Sequence, residues 1–88
     1  MSSKERPKIQ NGKIYKSRRV LRLFDYLTES PLVLPKDSTL VFLSSEFFQN
    51  SHAVLTKYLV LIFLTNKGIH EIVMDTEDFN GRFILAKD

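Results

Sequence analysis

The chain has no cysteine and no tryptophan, and its 88 residues include only three glycines, three prolines and two histidines. Without cysteine there is no disulfide framework, no thiolate zinc site and no thiol nucleophile. Gly12, Gly68 and Gly81 lie far apart, so no glycine-rich phosphate loop exists. Neither His52 nor His70 has a second histidine or a carboxylate at the i, i+4 spacing of a helical metal site. No serine sits in a Gly-x-Ser-x-Gly elbow, and the Glu77-Asp78 pair falls in a turn, where solvation is expected rather than a tuned acid. These absences argue against an enzyme, a metal, a cofactor or a small-molecule substrate.

Long apolar runs are also missing. Tyr58 to Leu64 is seven residues, closed by Lys57 and Lys67, against the roughly 20 a membrane helix needs. The N-terminal Met1-Ser2-Ser3-Lys4-Glu5-Arg6-Pro7 lacks the apolar core of a secretory signal and has no glycine second. The expectation is an intracellular protein of cytoplasm, nucleoid or nucleus with no membrane partner.

What is present is one domain's worth of apolar residues and an uneven charge. Hydrophobic residues make up 43% of the chain, in the globular range. Residues 1–22 hold eight basic side chains against one acid, a net +7, and residues 23–88 hold five against nine, a net −4. A basic segment on a mildly acidic body suits an arm that seeks phosphate. Pro7 and Asn11-Gly12 break structure, so residues 1–12 read as a flexible arm and 13–88 as the domain.

Gly12 to Ser17 can add a short strand. Val20, Leu23, Phe24 and Leu27 then recur at i, i+3, i+4 and i+7, with Ser17 as N-cap and Pro31 past the end, which predicts a helix. Thr39 to Leu43 has strand propensity, and Ser44 or Ser45 can cap a short helix holding Phe47 and Phe48. Residues 51–66 read as a helix from Asn50 or Ser51 to Gly68, apolar on two faces. The competing reading makes Leu59 to Thr65 a buried strand, joined by Asn66-Lys67-Gly68 to a strand over Ile69 to Met74. Ile69 to Asp75 and Arg82 to Lys87 read as a terminal β-hairpin turning at Asn80-Gly81.

This order resembles a winged helix-turn-helix domain. The resemblance rests on Leu61-x-x-Leu64-x-x-Lys67-Gly68-Ile69, similar to a recognition helix turning into a wing, and on Gly81-Arg82-Phe83-Ile84-Leu85, similar to the returning wing strand. It implies an α+β fold of three helices and a C-terminal β-hairpin wing behind a basic N-terminal arm. It also implies a small DNA-binding protein, a transcriptional regulator or an architectural one, with DNA preferred over RNA. The third helix would present Ser51, His52 and Lys57 to DNA and the wing Arg82. Lys8, Lys13, Lys16, Arg18, Arg19 and Arg22 form the electrostatic footprint on the backbone.

The surplus apolar surface of residues 54–64 points to a homodimer or another protein partner through Leu55, Leu59, Ile62 and Phe63. On that alternative the chain is a non-enzymatic interaction module. A third reading takes residues 39–75 as β-α-β, with the basic arm binding RNA.

Overall fold

Strand alternation, not helical period, organises this chain. The computed structural model describes residues 8–49 and 57–86. Its elements are β1 (Ile14–Ser17), β2 (Leu21–Asp25), β3 (Ser30–Leu34), β4 (Thr39–Gln49), β5 (Lys57–Thr65), β6 (Gly68–Asp75), α1 (Thr76–Arg82) and β7 (Phe83–Leu85). One antiparallel sheet has the order β6-β5-β4-β1-β7, and β2 and β3 form a separate hairpin. Among the described residues, no helix is long and apolar enough to cross a membrane.

Residues of period two explain the core. Leu59, Leu61 and Phe63 of β5 face inward and are fully buried, each opposite an inward residue of β6: Met74, Ile72 and His70. Phe42 of β4, which pairs with Phe63, is the hub. Its ring meets those of Tyr15, Phe63, Phe79 and Phe83 at 5.0, 5.9, 5.5 and 5.4 Å. The β2–β3 hairpin closes this side with Leu21, Leu32 and Leu34. Helix α1 adds Phe79.

The winged-helix expectation fails on this architecture. Residues 18–30, expected as the first helix, are mostly hairpin, because Leu21, Leu23 and Asp25 alternate inward and pair with Leu34, Leu32 and Ser30. Residues 44–49 continue β4 instead of forming a helix, past a bulge between Phe42 and Ser44. The expected third helix is β5 from Lys57 on, and the competing strand reading holds there: Thr65 pairs with Gly68 across a tight turn at Asn66-Lys67. The two expected wing strands never pair; β6 and β7 lie at opposite edges of the sheet.

Asn80-Gly81 is helical rather than a hairpin turn. Asp75 caps α1 by accepting the Glu77 amide at 3.0 Å, Glu77 and Asp78 suit its N-terminal end, and Arg82 meets Asp78 at 3.5 Å. Among the described residues, two non-glycine residues sit in the left-handed region, Glu29 at φ 56° and Asp37 at φ 67°. Glu29→Gly relieves that strain in the β2–β3 turn and should raise stability by a few tenths to about 1 kcal/mol, read as a higher melting temperature by circular dichroism.

Candidate nucleic-acid interface

The basic residues that converge do so at the corner where β1 leaves the sheet. Ser17 is pinned there: its hydroxyl donates to the Pro35 carbonyl at 2.6 Å and accepts the Ser38 amide at 3.0 Å. The next residue, Arg18, donates its amide to the Arg82 carbonyl at 2.8 Å and its guanidinium to the Asn80 carbonyl at 2.7 Å. A cation there complements the last turn of α1. The Arg19 guanidinium lies beside Gly81, 3.8 Å from where a β-carbon would stand. Lys8 and Arg18 line a hollow of about 280 Å³ with Gln10 and Asn80, over a floor that includes Tyr15, Phe79 and Phe83.

Lys8 is held close by its neighbours. The Gln10 amide donates to the Tyr15 hydroxyl at 2.9 Å, the Gly12 amide donates to the Phe42 carbonyl at 2.8 Å, and Ile9 packs on the core. The corner thus gathers Lys8, Arg18, Arg19 and Arg82 from three parts of the chain, with Asp78 as the acid paired to Arg82. A guanidinium has five donors in a fixed fork that matches a phosphate, and Arg18 spends one on Asn80. Such a corner can hold a phosphodiester.

The other expected contacts are dispersed. Arg22 is on the outward face of β2, opposite Val33. Lys16 is on the outward face of β1, opposite Thr39 and Ile84, and Lys13 is exposed in the turn before it. Lys57 opens β5, paired with Gln49. Ser51, His52 and Leu55 lie outside the described residues. Leu59 and Phe63, expected at a partner interface, are fully buried in the core, and Ile62 is half-buried on the opposite face. Exposed apolar surface falls instead on alternate residues, where Ile14, Leu64 and Ile69 stand in one row across four strands with the half-buried Val41 between Ile14 and Leu64.

A polar cluster at the far end of the hairpin escaped the sequence reading. Asp25 and His70 are 2% and 6% exposed. The His70 Nδ1 lies 2.7 Å from the Asp25 Oδ2, and its Nε2 lies 2.9 Å from the Thr65 hydroxyl. A carboxylate only accepts, so Nδ1 carries the proton and, in the neutral ring, Nε2 accepts from Thr65. Hydroxyl, imidazole and carboxylate stand in the order of a nucleophile triad, yet the surrounding bonds make the cluster a fastener. Asp25 also accepts the Leu27 and Glu71 amides at 2.9 and 3.1 Å, the Tyr26 amide donates to the Glu71 carbonyl at 2.8 Å, and Thr65 caps its turn by accepting the Lys67 amide at 3.1 Å.

Burial alone would raise the Asp25 pKa. The His70 bond, the Glu71 and Leu27 amides and Thr28 outweigh it and hold the carboxyl well below the usual carboxylate range. Among the described residues, no cluster of histidine and carboxylate groups is fit to hold a metal ion. No protein-family model, no curated protein and no solved structure matches the chain.

Proposed function

We propose that this chain is a small, non-enzymatic β-sheet module that binds the phosphate backbone of a nucleic acid. The observation that carries the reading is the gathering of Lys8, Arg18, Arg19 and Arg82 around one hollow and one helix end. One of those cations, Arg18, is held by a backbone carbonyl rather than by a carboxylate, which leaves its charge for a ligand. Lys4 and Arg6 precede Lys8 and make this stretch of the sequence more basic still. Backbone contact gives affinity with little base readout.

The test is a fluorescence anisotropy titration of a labelled oligonucleotide at two salt concentrations. Four phosphate contacts predict a roughly 50- to 150-fold weakening between about 50 and about 200 mM salt. Affinity that does not move with salt, or no binding at low salt, would overturn the reading.

The apolar row on the sheet's outer face favours a second reading, in which that face meets a second copy of the chain. Its side chains are covered by neither the β2–β3 hairpin nor α1, which both pack on the other face. On this reading light scattering returns a dimer mass for the native chain and a monomer mass for Leu64→Asp, which remains folded because Leu64 is exposed. A native monomer at high concentration contradicts it.

A further inference from the structure

We infer that the outward face of the β2–β3 hairpin is a track for single-stranded nucleic acid, with unpaired bases stacking on Phe24 and Tyr26. This rests on the backbone-binding reading and names the form of its ligand. Along β2 and its flanks Val20, Arg22, Phe24 and Tyr26 alternate with the inward Leu21, Leu23 and Asp25, and all four are exposed. Phe24 and Tyr26 are 45% and 52% exposed, yet their rings pack edge-to-face with centroids 5.0 Å apart. Pro31 stands opposite Phe24 and Val33 opposite Arg22, so the strip has an apolar floor with one cation set into it.

The strip is continuous with the basic corner, since Arg18 and Arg19 lead directly into it. From Arg19 to Tyr26 an extended chain covers roughly 20–25 Å, a length suited to the shortest single-strand sites, of about four nucleotides. Charge at one end and open aromatic faces at the other are complementary to one ligand. A single strand offers phosphates and free base faces together, whereas a duplex keeps its base faces stacked inside. The Asp25–His70 fastener holds the free end of this hairpin against β6, so the ring pair sits on a fixed support.

The experiment compares a labelled single-stranded oligonucleotide with the duplex of the same sequence, using the full chain. The native protein should favour the single strand. Phe24→Ala with Tyr26→Ala should weaken single-strand binding by roughly 5- to 150-fold per ring, while the dependence on salt persists. Equal binding of strand and duplex, unchanged by the double substitution, overturns the track and leaves backbone binding standing. Absence of salt-dependent binding to either probe overturns both. Because the chain has no tryptophan, Phe24→Trp installs a single reporter that keeps an aromatic face in place. Quenching of its emission by the single strand is the expected result even where the alanine pair unfolds, and unaltered emission at saturating strand contradicts stacking.

Discussion

Asp25→Ala should remove a large share of the folding stability at neutral pH. The substitution strips acceptors from the His70 ring and from the Leu27 and Glu71 amides at once. Losing one member of a buried, bonded pair costs about 3–5 kcal/mol, against about 5–15 kcal/mol for a whole domain. The loss concentrates where the hairpin meets β6, because the Tyr26 amide bond to Glu71 belongs to the same junction. Guanidinium unfolding should show a midpoint lowered without a change in slope. A midpoint within a few tenths of native would show that the cluster is not what fastens the hairpin.

The same carboxyl sets an acid limb. Its folded pKa lies below the ordinary range, so its contribution is complete above the unfolded value of about 3.9 and is lost as pH falls through and below that value. Native stability should therefore be level from neutral pH to about pH 5 and decline beneath it. Asp25→Asn keeps the shape, costs less than alanine, and flattens the Asp25 share of that decline.

The second large effect concerns binding. Arg19→Glu with Arg22→Glu reverses two exposed cations, one at the corner and one on the strip. Each removed phosphate contact lowers the salt slope by about 1, and the introduced acids repel the backbone. Affinity for a single strand should fall by on the order of 100-fold or more at low salt. Lys67→Glu is the control, placed in the β5–β6 turn beside a different groove. If binding were a diffuse response to net charge, each reversal would weaken it in proportion to the charge changed, and Lys67→Glu would account for half of the double variant's loss.

Local signals found several strands. Gly12 to Ser17, Thr39 to Leu43 and Ile69 to Asp75 all carry β-branched or alternating residues, and β1, the first half of β4 and nearly all of β6 lie on them. The misreadings arose where two periods fit the same residues. Val20, Leu23, Phe24 and Leu27 satisfy a helical stripe only if Leu21 is discounted, and in the fold Leu21 is core whereas Val20, Phe24 and Leu27 are exposed. Tyr58 to Leu64 shows no period because one face of β5 meets the core and the other carries the outer apolar row. Such a run cannot be told from a buried helix by pattern.

The acidic start of α1 was visible in Asp75-Thr76-Glu77-Asp78, a capping residue followed by acids, but Asn80-Gly81 read more strongly as a turn. Of the site, the excess of basic residues up to Arg22 was legible. Its convergence with Arg82 was not, since that depends on Arg18 bonding the end of a helix far along the chain. The Asp25–His70–Thr65 cluster had no local signature at all, because its members come from β2, β6 and β5.

One measurement decides the central claim, that the basic corner and its adjoining strip are where ligand binds: amide chemical-shift mapping of the labelled protein during titration with a short single-stranded oligonucleotide. Shifts should cluster on Arg18, Arg19, Arg22, Phe24, Tyr26 and Asn80 to Arg82, with Ile14, Leu64 and Ile69 of the outer sheet face unmoved. Shifts confined to that outer face, or spread evenly over exposed amides, would contradict it.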